Sequence, residues 1–289
     1  MKKAWIKHIL SLLLFGMNGI VAARISLSSY EIVLFRTLIG SLFLAAIFVL
    51  TKQKVKIRDN RRDLVCLLLS GVAMGASWMF LYEAYQQVGV SIATLIYYCG
   101  PIFVMLLSVV LFREKITWKG AAGFITVLAG VVLINGTAVW GGSIKWGIFC
   151  GVMSAATYAV MVIANKKTKS ITGLTNSMLQ LFFAFLTVAL FVGCKQGLHL
   201  EVAKEEWFPI LVLGLINTGF GCYLYFSSIG DLPVQTVALC GYMEPLSAVI
   251  FSAILLKERM SAVQIVGAVL ILGGALTGQQ KIRENHIVT

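Results

Sequence analysis

The sequence predicts an all-α polytopic membrane protein, with ten transmembrane helices arranged as two five-helix repeats of inverted topology. Three observations predict it. Hydrophobic residues make up 59% of the 289 residues and charged residues only 12%, far outside the balance of a soluble domain. Charge, Pro and Gly punctuate the chain into ten apolar runs, each near the roughly 20 residues that a spanning helix needs. The second half also repeats the first without a gap, over more than forty residues, at a spacing of 144.

The runs fall at 4–23, 31–50, 64–85, 90–112, 118–135, 144–164, 174–194, 208–228, 234–256 and 262–278. The first has a basic start, like a signal peptide, but a multispanning chain can use its first helix as an uncleaved signal, so it counts as span 1. Span 2 carries Arg36 about two turns from one end, and span 3 carries Glu83 near the same side. Their depths suit an ion pair or gate. At the repeat spacing they become Gln180 and Ser227, so both charges are absent together. A substrate contact and two unrelated snorkelling side chains are the alternatives. Gly71 with Gly75, and Gly147 with Gly151, form GxxxG pairs that let helix backbones approach within the chain.

Spans 4 and 9 hold the centre of the repeat, in "YYCGPIFVMLLSVVLFREKIT" (97–117) and "GYMEPLSAVIFSAILLKERMS" (241–261). Tyr98 matches Tyr242, Pro101 matches Pro245, Ser108 matches Ser252 and Glu114 matches Glu258. Upstream, Gly75 matches Gly219. Five spans per repeat is an odd number, so the second copy enters the membrane in the opposite orientation. The expected organisation is a first repeat over 1–139, a second over 140–280, and a cytoplasmic tail over 281–289.

The net charge of +12 points to lipid rather than nucleic acid, because no basic stretch has a folded domain to present it. With the N-terminus inside, seventeen of the 24 Lys and Arg residues fall on inside segments and six outside, with Arg36 within a span. The positive-inside rule then puts both termini in the cytoplasm of a multi-pass protein of the plasma or inner membrane. The six cysteines are scattered without CxxC or Cys/His spacing, so no disulfide framework, metal site or cofactor is expected. The expected partners are the bilayer, a small-molecule substrate and protons as a candidate coupling ion, with monomer or dimer left open.

Pro101 and Pro245 lie about halfway along their spans, where each removes a helical hydrogen bond and should kink the helix, freeing the carbonyls of Tyr97 and Gly241. Packing kinks satisfied by neighbouring helices are the plainer reading. Glu244 beside Pro245 is the sharper case, since an intramembrane carboxylate costs at least a few kcal/mol unless protonated, paired or hydrated. It should face a cavity, where it could hold a cationic substrate or alternate between proton and substrate; the alternative is a carboxyl that caps the broken helix. Polar and aromatic residues recur at helical spacing as Trp78, Tyr82 and Tyr85, as Ser154, Tyr158, Met161 and Asn165, and as Asn217, Gly221 and Tyr225. Tyr242, Tyr97 and Trp78 are the better cavity candidates, while Tyr82, Tyr85 and Tyr225 suit interfacial belts equally well.

"LFGMNG" (14–19), which contains Asn18, "LFRTLIG" (34–40) and the paired "P…FREK…G" (101–123) and "EP…LKER…G" (244–267) segments resemble the drug/metabolite transporter superfamily, most closely its ten-helix EamA-like members. The resemblance covers essentially the whole chain. The departures are "FG" in span 1 where many relatives have "WG", and Gly100 in the first half where the second has Glu244. The resemblance implies a secondary transporter of a small metabolite, such as an amino acid or amphipathic amine, commonly outward, by alternating access through a central cavity. The expected substrate-binding or coupling set is Glu244, Tyr242, Tyr97, Trp78, Asn18, Tyr158 and Asn217. A membrane-embedded enzyme is the alternative, but HExxH, GxSxG and paired intramembrane aspartates are all missing from the sequence.

Overall fold

The computed structural model describes residues 2–53, 61–88, 93, 96–112, 118–135, 145–197, 202–255 and nine helical residues between 262 and 274. Among them all regular structure is helical. In chain order the elements are α1 (Lys2–Gly16), α2 (Asn18–Ala22), α3 (Ser29–Leu50), α4 (Arg61–Val88), α5 (Gly100–Phe112), α6 (Trp118–Asn135), α7 (Lys145–Lys167) and α8 (Gly173–Gln196). A 3-10 turn (Lys204–Glu206) leads into α9 (Trp207–Leu211), a π-helix (Val212–Phe220), α10 (Gly221–Ile229), α11 (Val234–Gly241) and α12 (Met243–Leu255).

Among the described residues, six stretches are long and apolar enough to cross a membrane: Lys2–Ala22, Ser29–Leu50, Arg61–Val88, Trp146–Lys167, Gly173–Gln196 and Lys204–Ile229. They correspond to predicted spans 1–3 and 6–8 and make the chain a multi-pass membrane protein. Gly100–Phe112 is a shorter apolar helix within span 4, and span 9 is divided between α11 and α12. The "REK" and "KER" turns, the boundary between the expected repeats and the 281–289 tail lie outside the described residues.

Local sequence explains the helix ends. Ser28 and Glu31 form a capping box at the start of α3: Ser28 Oγ accepts from the Glu31 amide at 3.3 Å, and Glu31 Oε2 accepts from the Ser28 amide at 2.8 Å. Gly197, with φ at +77°, ends α8 in a conformation that favours glycine.

Glu83 bonds Tyr30, Lys195 and Trp146, so the start of α3, the end of α4, the start of α7 and the end of α8 share one end of the bundle. Asp63, at the start of α4, accepts from the amides of Lys169 and Ser170 just after α7 at the other end. Lys166, near the end of α7, donates to the Ile229 and Gly230 carbonyls at the end of α10, so α10 ends where α4 starts; thus α3 runs opposite to its repeat partner α8, and α4 runs opposite to the π-helix and α10.

Small residues set the packing. A Cβ on Gly75 would lie 2.8 Å from the Ala184 carbonyl oxygen, and one on Gly71 2.5 Å from Phe183 Cβ, so the α4 backbone lies directly against α8, on its backbone as well as its side chains. Gly219, the repeat partner of Gly75, makes the corresponding approach to Phe43 of α3, at 2.6 Å. Gly151 instead packs against Ile96. Between α4 and α7, Ser77 Oγ donates to the Ser154 carbonyl and Ser154 Oγ to the Ser77 carbonyl, at 2.9 and 2.8 Å. This reciprocal pair satisfies hydroxyls that would otherwise be costly to bury.

Candidate functional site

Among the described residues, four interruptions of regular helix lie part-way along their spans. The first separates α1 from α2 at Met17, the second falls at Tyr98–Cys99 before α5, the third at Tyr242 between α11 and α12, and the fourth is the π-helix. Tyr98 and Tyr242 are repeat partners, so the two copies break at the same place. The prolines predicted to kink the chain stand just after these breaks. Pro101 is the second residue of α5 and Pro245 the third of α12, where a missing amide hydrogen removes no intrahelical bond. The Cys99 carbonyl accepts from Ile102 and Phe103 at 3.0 and 3.3 Å, which closes the first turn of α5.

Residues next to the breaks line a half-open cavity with about 400 Å³ of atom-free space, open solvent included. Its walls are Leu12 and Phe15 of α1, Met74 and Trp78 of α4, Tyr97, Tyr158 and Met161 of α7, Cys222, Tyr225 and Phe226 of α10, and Glu244 of α12. The aromatic walls are mutually braced. Tyr97 meets Tyr158 edge-on with centroids 5.6 Å apart, and the Tyr158 and Tyr225 hydroxyls lie 3.3 Å apart. Behind Tyr225 the fully buried His8 stacks at 5.0 Å and shares a 3.1 Å hydrogen bond with Ser228.

Glu244 is the carboxylate on this wall. It sits in the first turn of α12, where the helix dipole favours negative charge. Its side chain makes no hydrogen bond or ion pair among the described residues, and it interacts electrostatically with Arg36. Arg36 is buried, with only 6% of its surface exposed. Its guanidinium lies 4.7 Å from the centre of the Trp78 ring, and Nε donates to Thr218 Oγ1 at 2.9 Å.

The structure therefore gathers Glu244, Tyr97, Trp78 and Tyr158 of the predicted set around one space. Three others stand elsewhere. Tyr242 is fully buried with its ring edge-on to Phe124, and its hydroxyl has no hydrogen-bond partner among the described residues. Asn217 donates to Asn18 Oδ1 and to the Leu14 carbonyl, each at 3.1 Å, so both asparagines hold the break in the first span.

The expected Arg36–Glu83 pair is replaced by Lys195–Glu83 at 2.7 Å. Depth is the reason. Tyr30 is level with Glu83 because it donates to it, and Arg36 lies six residues further along α3, about 9 Å deeper at 1.5 Å per residue. Tyr225, which suited an interfacial belt from sequence, is 4% exposed and lines the cavity. Cys222 was not read as a cavity residue, and Phe15 entered only as part of the "FG" departure; the signal available was the Asn217, Gly221 and Tyr225 stripe, since a Cβ on Gly221 would lie 2.8 Å from the Phe15 ring.

Comparisons with known proteins give this geometry a context. The family model described as EamA-like transporter family matches twice, at residues 3–136 and 145–277. The chain is 26% identical over 282 residues to the uncharacterized transporter YxxF of Bacillus subtilis (strain 168), covering 95% of this chain and 89% of that one. It is 22% identical over 260 residues to the uncharacterized inner membrane transporter YhbE of Escherichia coli (strain K12), covering 85% and 80%. Over 89 residues, 31% of each chain, it is 32% identical to the aromatic amino acid exporter YddG of Ancylobacter novellus. A solved protein structure at 17% identity superposes with a TM-score of 0.83 over 96% of this chain and 98% of the other, a likeness of fold.

Proposed function

This chain belongs to the EamA-like transporter family, and from that premise we propose that it is a secondary transporter that exports a small metabolite by alternating access. Its ten spans form two inverted five-helix repeats, 1–139 and 140–280, with both termini and the 281–289 tail in the cytoplasm. The membrane is the cell's plasma or inner membrane. The observation that carries this reading is the cavity with a carboxylate, Glu244, that has no ion-pair partner among the described residues, set among helices that break at the repeat-matched Tyr98 and Tyr242. Broken helices at mid-depth are where repeat transporters hold substrate and coupling ions, and irregular backbone at that depth is tolerated when it borders protein or a hydrated cavity.

The substrate is an amino acid or an amphipathic amine. Tyr97, Tyr158 and Trp78 offer ring faces to an apolar body or a cation, and Glu244 takes its ammonium group or, between substrates, a proton. The name of the aromatic amino acid exporter over 89 aligned residues supports the same class. Asn18 and Asn217 act through the break they hold, and Tyr242 by seating the end of α11.

The test is flux into liposomes of radiolabelled amino acids and organic cations, with and without a pH gradient, for the wild type and Glu244→Gln. Saturable flux that needs both the gradient and Glu244 is expected. Unchanged rate and pH dependence in a folded Glu244→Gln protein would remove Glu244 from the mechanism.

A further inference from the structure

The carrier reading leaves two substrate chemistries, cations and zwitterions, and Arg36 separates them. A buried guanidinium is costly unless its charge and its five N–H donors are met. Thr218 takes one donor, through Nε. Neither Nη has a hydrogen bond among the described residues, and the one ion pair there joins Lys195 to Glu83, not Arg36 to any carboxylate. The side chain is nearly but not wholly enclosed, with 6% of its surface exposed. The side chain is held by the Trp78 face and by the π-helix through Thr218. Thr218 is fixed in turn by its own bond to the Leu213 carbonyl at 2.8 Å. Trp78 is a cavity wall, and Cys222, one turn beyond Thr218, is another. Arg36 is thus a preorganised fork directly behind the Trp78 wall of the cavity, in the second layer of side chains around it.

We propose that Arg36 is the anion-recognising residue of this cavity and selects substrates that carry a carboxylate, so that zwitterions are taken in preference to the corresponding amines. The assignment rests on the carrier reading above. A cavity with Glu244 alone would be negative and would suit a cation. With Arg36 in its field the two charges balance, which matches a ligand with one charge of each sign. The carboxylate would lie on the planar fork, whose geometry favours bidentate contact, with the ammonium toward Glu244 and the apolar body against Trp78, Tyr97 and Tyr158. The competing account is structural, with Arg36 serving only to tie α3 to the π-helix.

The experiment compares two series, phenylalanine with its methyl ester and phenethylamine, and leucine with its methyl ester and isopentylamine. Equilibrium binding is measured in nanodiscs and flux in liposomes, for the wild type, Arg36→Gln and Arg36→Lys. In the wild type each zwitterion should bind about 10- to 100-fold more tightly than its ester or amine, the range expected for losing hydrogen bonds to a charged group. Arg36→Gln should bring that ratio near one by weakening the zwitterion, and Arg36→Lys should fall between. A structural tie would lower all ligands together and leave the ratio unchanged. Equal binding of zwitterion, ester and amine by the wild type overturns the assignment without reference to any variant, and leaves the carrier reading standing. Failure of all six compounds to bind or cross in folded wild type would instead contradict the carrier reading, and the assignment would fall with it.

Discussion

The Glu83 carboxylate joins four helices, and its partners yield a quantitative prediction. It accepts from Lys195 Nζ at 2.7 Å, from Gln87 Nε2 at 3.2 Å, from Trp146 Nε1 at 3.3 Å and from the Tyr30 hydroxyl. A hydrogen bond to a charged group contributes about 1.5–3 kcal/mol when shielded, whereas a solvent-exposed ion pair contributes about 0–1 kcal/mol. The Glu83 side chain is 15% exposed and Lys195 41%, so the pair belongs near the top of the exposed range. Lys195→Met should cost about 1 kcal/mol, and Glu83→Gln about 1–2 kcal/mol because it weakens several bonds together. A double-mutant cycle between them should return a coupling of about 0.5–1 kcal/mol. The cycle between Glu83→Gln and Arg36→Gln should return less than about 0.5 kcal/mol, the additivity expected of sites without a shared partner. The measurement is reversible unfolding in mixed micelles for the wild type, the single variants and both doubles. A Glu83–Arg36 coupling as large as that of Glu83–Lys195 would refute the assignment of partners.

Two further outcomes test the packing. Gly75→Val places methyl groups where even a Cβ would lie 2.8 Å from the Ala184 carbonyl oxygen and from Thr187 Cβ, so it should destabilise the protein by about 1–3 kcal/mol in the same unfolding assay. Lys166 Nζ donates to the carbonyls of Ile229, Gly230 and Leu232 at 2.5–2.9 Å, holding the turn between α10 and α11. Lys166→Met should raise deuterium uptake across residues 228–236 while leaving α3 and α4 unchanged, and equal uptake in both proteins would count against that role.

The fold was legible where a physical constraint acts on the sequence locally. A span must be apolar for about 20 residues, which fixed the helices from Ser29 to Leu50 and from Gly173 to Gln196 to within a few residues. The duplication was legible because matched residues meet matched constraints. Gly75 and Gly219 each admit a neighbouring helix, and Tyr98 and Tyr242 each mark a break followed by proline. The first-span break at Met17 was not legible, because no proline marks it. It depends on Asn217 from a helix about 200 residues away, and on Gly16, where a Cβ would lie 1.9 Å from Ser247 Oγ. The π-helix was hidden for a similar reason, since Thr218 back-bonding to Leu213 leaves no distinctive residue pattern.

Charge pairing is where sequence reasoning has the least to work with, and Arg36 shows why. Counting residues from the end of a span places a side chain in depth to a few ångström, but each residue also turns the helix by about 100°, so a small error in register moves the side chain to another face. Lys195 was counted as lying just beyond span 7, whereas α8 continues to Gln196 and carries it beside Glu83. With Glu83 taken, Arg36 is left deeper in the bundle, stacked on Trp78 within the electrostatic reach of Glu244. Two opposite charges in one low-dielectric region that do not meet in an ion pair forgo the attraction that would offset their desolvation. Such a separation leaves room for a ligand between the two groups, or for a proton on Glu244 when no ligand is bound. A ligand bearing both charges would meet each group, and closure around it would strengthen both contacts by excluding water. The separation of Arg36 from Glu244 is the feature that the proposed preference for zwitterions would use.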